Sequence, residues 1–232
     1  MGFLNNDLFN KREIWSTYWR KFSQKKGLYV IFANFYRNFI ISWAVRFYFR
    51  KYFKDKEDSM YLHAGCGSGD SDRRIGFRQA SFVYIDLNFE ALNIAKAKTK
   101  FKNIYFVCAD ILHLPFKPRL FDGIWNLGVM EHFYENEIVT ILKEFEYILR
   151  DRGIYMLFWP PQYGLTVIVM SIFQFIMSNI FKKKFSFYPD DVSNYRTINW
   201  ANKLAKESGL FILKTHFNIR DIFTHRVLVG SK

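Results

Sequence analysis

Tyr61-Leu-His-Ala-Gly-Cys-Gly-Ser-Gly-Asp70 decides the fold, because an apolar run stops at three glycines on alternate positions, Gly65, Gly67 and Gly69. Such a run predicts a buried strand ending in a turn lined by bare main chain. Glycine takes positive φ and puts no Cβ between backbone and ligand. The turn therefore suits a nucleotide-type cofactor, and spacing separates the candidates. A dinucleotide fingerprint, G-x-G-x-x-G, needs glycine at position 70 or 72, and both are aspartate. A P-loop needs a closing Gly-Lys-Ser/Thr, which is absent.

The sequence downstream continues at α/β spacing. Ser81-Phe-Val-Tyr-Ile-Asp86 is a short apolar strand closed by an acid 17 residues after Gly69. A carboxylate there can accept two ribose hydroxyls in charge-assisted hydrogen bonds. Asn103–Asp110 is a third apolar run, ending where a carboxylate and a main-chain amide can read an adenine edge. A fourth strand starts at Phe121 and runs into the loop Asn126-Leu-Gly-Val-Met-Glu-His132. Apolar residues at 138, 141, 142, 145, 148 and 149 predict a helix, and Gly153–Trp159 a fifth strand before Pro160-Pro161. Helix 197–208 and strands 210–217 and 222–229 close the chain, with Gly209 suited to the position after a helix end.

In this order the motifs resemble the class I S-adenosylmethionine (SAM)-dependent methyltransferases, in their small-molecule branch, over roughly residues 58–160 and 185–230. The resemblance implies an α/β, Rossmann-like seven-stranded sheet, a methyl-transferring activity and S-adenosyl-L-methionine as cofactor. By position it makes His63, Ala64, Gly65, Cys66, Gly67 and Gly69 the methionine-side loop and Asp86 with Leu87 the ribose site. Asp110 and Ile111 become the adenine contacts, and Asn126 and Leu127 the opposite wall. Two departures stand out: His63 occupies a position that is often acidic in the family, and the helix expected after the loop offers no evident partner for the methionine carboxylate. Glu131 and His132 follow the fourth strand, at the end where ligands sit in open α/β sheets. For an oxygen acceptor of high pKa, His132 is the candidate base and Glu131 its neighbour. The competing role for this pair is packing the cofactor loop or capping the helix that starts near Glu135.

Charge divides the 232 residues unevenly. Residues 1–56 hold 12 Lys/Arg against 3 Asp/Glu, a net of +9 out of the chain's +13. We draw one boundary there: a basic, aromatic helical extension over 1–56 and a methyltransferase domain over 57–232, with an apolar lid helix inserted at 160–184. Arginines at 37, 46 and 50 interrupt the apolar run 28–53, so it is no clean membrane span. It suits either an interfacial helix or a helix capping the sheet. Residues 160–181 carry no charge and precede three lysines, but a span there would separate the last strands from their sheet.

Peripheral membrane contact through 28–53 and 163–184 is thus one expectation, with a cytoplasmic location at the inner face of the membrane. No cleavable leader is expected, since charges run through the first 27 residues. The two cysteines, Cys66 and Cys108, show no paired spacing, and no metal is expected from His63, Cys66, Cys108 and His113. Pro160-Pro-Gln-Tyr163 lies after the fifth strand, the wrong place for the Asn/Asp-Pro-Pro-Tyr motif of amino-methyltransferases. The leading expectation is transfer to a small-molecule or lipid-linked acceptor, such as a glycan precursor, a quinone-like ring or a lipid. The alternatives are an RNA methyltransferase using the basic extension, for which no RNA module is seen, and a non-catalytic SAM-fold partner protein.

Overall fold

Seven strands form one sheet in the order β3-β2-β1-β4-β5-β7-β6. They are β1 Met60–Ala64, β2 Ser81–Asp86, β3 Ile104–Cys108, β4 Phe121–Leu127, β5 Leu149–Trp159, β6 Phe211–His216 and β7 Arg226–Ser231. The computed structural model describes residues 13–20, 35–162 and 191–232. β1 to β5 pair in parallel, whereas β7 runs antiparallel to both β5 and β6. Strand order reverses at β1/β4, which opens a crevice at the carboxyl ends of these two strands.

The helices are α1 (13–20), α2 (Ser42–Tyr52, entered through a π-helical stretch Tyr36–Ile41), α3 (Phe89–Lys98), α4 (Glu135–Ile148) and α5 (Ile198–Glu207). Their starts follow from local chemistry. Asn88 accepts the Ala91 amide at 3.1 Å, Thr197 accepts the Trp200 amide at 3.2 Å, and Glu137 reaches back to the Tyr134 amide at 2.9 Å. Gly209, at φ +78°, ends α5 as expected.

α4 and α5 bury Ile138, Ile141, Leu142, Phe145 and Leu204 against Leu62, Ile124, Leu157 and Trp159 on one face of the sheet. The other face departs from expectation. Between the glycine turn and β2 the chain makes only a 3-10 turn, Asp70–Asp72, where a helix was expected. Gly76, at φ +72°, and the polar run around it cannot extend that turn into a helix with an apolar face. α2 covers the sheet instead. Phe49 meets Trp125 edge-on at 4.7 Å, Phe53 lies against Tyr61 at 4.8 Å, and a methyl on Gly123 would collide with the Phe53 ring. Val45, Phe49, Tyr61, Phe82, Trp125 and Phe158 thus share one core. Tyr48 accepts a hydrogen bond from Asn218 Nδ2 at 2.8 Å, and Tyr52 pairs with His216 at 2.5 Å.

Two boundaries move. α4 starts at Glu135, where the helix was expected to begin, but β5 begins at Leu149, four residues before Gly153. The expected last strand, 222–229, begins only at Arg226. Ile222 and Phe223 both take positive φ (+56°), because Asp221 staples the preceding turn: its carboxylate accepts the His225 amide at 2.9 Å and its carbonyl the Thr224 hydroxyl at 2.7 Å. No helix among the described residues is long and apolar enough to cross a membrane. The apolar run 163–184 and residues 28–34 of the run 28–53 lie outside the described residues.

Candidate active site

Gly65, Gly67 and Gly69 all adopt left-handed φ, +73°, +51° and +64°. The Gly65 and Cys66 amides both donate to Ile85 O (3.0 and 2.8 Å), which laces the turn to β2. A Cβ on Gly65 would sit 2.8 Å from Val129 Cγ2, so the close approach, as well as the φ, requires glycine. Asp86, at the carboxyl end of β2, accepts the Gly67 amide through Oδ2 at 2.8 Å and the Asn88 amide through Oδ1 at 2.9 Å. Each oxygen keeps a second lone pair for a hydroxyl. Burial pushes the Asp86 carboxyl above its usual range, opposed by the Asn88 and Gly67 amides.

Beneath the turn lies a buried polar cluster. His63 Nδ1 is 2.7 Å from Asp72 Oδ2, with both side chains no more than 2% exposed. Tyr84 OH donates to the same Asp72 oxygen at 2.6 Å, and His63 stacks on Trp125 at 4.5 Å. The acid expected two positions before Gly65 is therefore replaced by a histidine that meets an acid from the far side of the turn. Lys98, the last residue of α3, clasps both oxygens of buried Asp70 at 2.9 Å, and Ser68 donates to Asp70 at 2.8 Å. Burial also drives the Cys66 thiol well up, which makes it a packing group rather than a nucleophile.

The ends of β3 and β4 complete the rim of the crevice. Ala109 N donates to Asp86 O at 3.1 Å, which brings the ends of β2 and β3 together. Asp110 Oδ1 accepts the Leu112 amide at 3.0 Å, and Ile111 is buried. At the end of β4, Asn126 is 0% exposed, and neither its Oδ1 nor its Nδ2 has a hydrogen-bond partner among the described residues. An unpaired amide in such a place calls for a bound polar group. Leu127 follows it, half-buried.

The turn Met130–His132 presents Glu131 and His132 as expected and brings in Asp191, which sequence reasoning missed. The Val192 and Ser193 amides donate to Glu131 O (2.6 and 2.9 Å), and Trp159 Nε1 donates to Ser193 O at 2.8 Å. These bonds pull the returning chain onto the β4 loop and set Asp191 Oδ1 3.6 Å from His132 Nδ1. His132 Nε2 lies 4.0 Å from Glu131 Oε1. Burial pushes the Glu131 carboxyl well above the usual carboxylate range, and the Asp191 charge adds to this. Ligand atoms of these three residues lie within 4.8 Å of one another, a spacing that would also admit a cation. The one sequence signal for Asp191 was its place in the acidic pair Asp190-Asp191, just before the segment that returns to the sheet.

α1 lies over both halves of the site. Trp15 meets His132 edge-on at 4.9 Å, and a Cβ on Gly67 would come within 2.9 Å of the Trp19 ring. A hollow of about 420 Å³ lined by Trp43, Arg46, Phe47, Arg50 and Lys51, and one of about 620 Å³ along β3, both lie away from this crevice.

Sheet order, glycine turn and acid-ended β2 together define a class I methyltransferase fold. Residues 62–157 match the model of the methyltransferase domain family. A fatty-acid O-methyltransferase of Mycolicibacterium smegmatis is 30% identical over 104 residues, 44% of this chain and 37% of that protein. An uncharacterized protein of Methanocaldococcus jannaschii is 32% identical over 103 residues, 44% of this chain and 41% of that protein. The match thus spans about two fifths of the length of these curated relatives. Among solved structures, magnesium protoporphyrin IX methyltransferase of Synechocystis PCC 6803 with bound S-adenosylhomocysteine superposes with a TM-score of 0.67 at 14% identity, over 97% of this chain and 99% of that one. A SAM-dependent methyltransferase of Methanosarcina mazei gives 0.58 at 17% identity, over 80% and 96%. Both likenesses are of fold.

Proposed function

We propose that the protein transfers a methyl group from S-adenosyl-L-methionine to an oxygen of a small-molecule or lipid-linked acceptor. The observation that carries this is Asp86 at the carboxyl end of β2, holding the Gly67 amide while keeping a lone pair on each oxygen for a ribose diol. The glycine cradle and the unpaired Asn126 amide fit the same cofactor.

When bound, the cofactor supplies a methyl on a positively charged sulfur, and that carbon needs no further activation. The chain's task is placement and exclusion of water, worth up to roughly 7–11 kcal/mol in favourable geometry. Gly65 to Gly69 hold the amino-acid half, Asp86 the ribose, and Asp110 with Ile111 the adenine. Residues 57–232 supply these contacts and 1–56 the cover, with Trp15 and Trp19 closing the crevice. His132 takes the proton of the acceptor hydroxyl and so readies its oxygen for the methyl that the cofactor would supply. Asp191, facing Nδ1, orients the ring so that Nε2 meets the acceptor. The fatty-acid O-methyltransferase among the relatives favours an oxygen acceptor on an apolar molecule.

The test is calorimetric titration with S-adenosylhomocysteine of the wild-type protein and of Asp86→Ala. Micromolar binding that disappears in the variant is the expected result, and folded wild-type protein that takes up no ligand would overturn the proposal. Methyl transfer by His132→Ala, assayed at saturating cofactor, should drop by about 10²–10⁴-fold. Unchanged turnover would remove His132 from the mechanism.

A further inference from the structure

α2 and the π-helical stretch before it carry two apolar faces, and only one is needed by the sheet. Ile41, Val45, Tyr48 and Phe49 are buried. On the opposite side Phe35, Phe39, Trp43 and Phe47 recur every fourth residue and are 53%, 47%, 53% and 39% exposed. Four such rings in water on one stripe are not explained by the fold. Phe35 stacks on Phe39 at 4.9 Å, and Ile219 (67% exposed) extends the ridge from the turn before β7.

Cations sit among the rings. The Arg74 guanidinium lies 5.2 Å from the Phe39 ring and 5.0 Å from that of Trp43, Arg46 5.6 Å from Trp43, and Arg220 4.0 Å from Phe47. The hollow lined by Trp43, Arg46, Phe47, Arg50 and Lys51 joins two rings to three positive charges. No carboxylate occurs between Glu13 and Asp55. The acid nearest the ridge in sequence on its other flank, Asp221, is buried and spent on the His225 amide.

We propose that this face, Phe35-Phe39-Trp43-Phe47 with Ile219 and Arg46, Arg50, Lys51, Arg74 and Arg220, docks the protein flat on an anionic phospholipid surface. The rings enter the headgroup boundary and the cations meet lipid phosphates, with the hollow beside Trp43 seating one headgroup. A nucleic acid fits less well, because three of the arginines lie over rings that a phosphate backbone would leave in water. The proposal rests on this surface and not on the methyl-transfer reading.

The experiment is co-sedimentation of the full chain with vesicles of phosphatidylglycerol and phosphatidylcholine, against phosphatidylcholine alone, over a salt series. Wild-type protein should pellet with the anionic vesicles only. Trp43→Ser with Phe47→Ser should weaken binding by about tenfold or more. Arg74→Gln and Arg220→Gln should each weaken it by about fivefold and flatten the salt dependence. All these positions are on the outer face, and unchanged circular dichroism and S-adenosylhomocysteine titration would show the variants folded. The proposal fails if wild-type protein ignores anionic vesicles, if the variants bind as well as wild type, if single-stranded RNA competes the protein off the vesicles, or if the ridge instead holds two copies together in sedimentation velocity. Vesicle binding without S-adenosylhomocysteine binding would keep the surface and remove the enzyme.

Discussion

Asp86 carries the most specific residue-level expectation. Two amides already fill one lone pair on each oxygen, and a ribose would supply charge-assisted bonds worth about 1.5–3 kcal/mol each. Asp86→Asn should therefore weaken S-adenosylhomocysteine binding by about 10- to 100-fold in calorimetry. Because burial raises this carboxyl's pKa, acidification should protonate it, and so cost affinity, at a higher pH than for an ordinary aspartate. The same shift has the opposite sign for stability: neutral Asp86 suits the buried site, so its contribution is present at low pH and fades as pH rises through the folded pKa. Titrating affinity and urea stability across acidic pH separates the two trends. Asp72 makes a second test. It serves His63 and Tyr84 in a buried cluster, so Asp72→Ala should cost about 3–5 kcal/mol in urea denaturation. The placement of the glycines, Asp86 and Asp110 was legible because strand ends and positive φ set it. The pairing of His63 with Asp72 was not, since it depends on how a turn folds back over nine residues.

At the scale of elements, hydrophobic periodicity located the strands and helices of the sheet, and capping residues fixed their starts more closely than periodicity did. Reading failed where a short polar interaction overrode an apolar pattern: Ile222 and Phe223 look like strand, yet Asp221 holds them in left-handed backbone. It failed again after the glycine turn, where no helix forms and α2 takes over the sheet face from elsewhere in the chain. Interfacial and sheet-capping roles looked like alternatives for the run 28–53. In its described part, one helix face caps the sheet and the other is open, so the capping role does not use up the element. Phe49 is the element's anchor, and Phe49→Ala should destabilise the protein by about 3–5 kcal/mol. α1 is expected to act on turnover instead: Trp15→Ala should raise the acceptor KM, with S-adenosylhomocysteine affinity unchanged, whereas Trp19→Ala should speed cofactor dissociation in stopped-flow measurements.

At the scale of the whole molecule, 1–56 and 57–232 differ in charge and in match to the methyltransferase family, yet α2 and the sheet share one core. A fragment starting at residue 57 should consequently bind hydrophobic dyes and aggregate, which dye fluorescence and light scattering would show. The bond between Tyr48 and Asn218 joins residues 170 apart, and that between Tyr52 and His216 joins residues 164 apart. Contacts of such separation form late and slow folding. During synthesis α2 emerges before any strand, yet its partners on β4, β5 and the turn before β7 follow only much later. Until those elements are made, the nascent chain carries α2 with part of its buried aromatic face uncovered, and crosslinking of ribosome-bound chains is expected to find chaperones there.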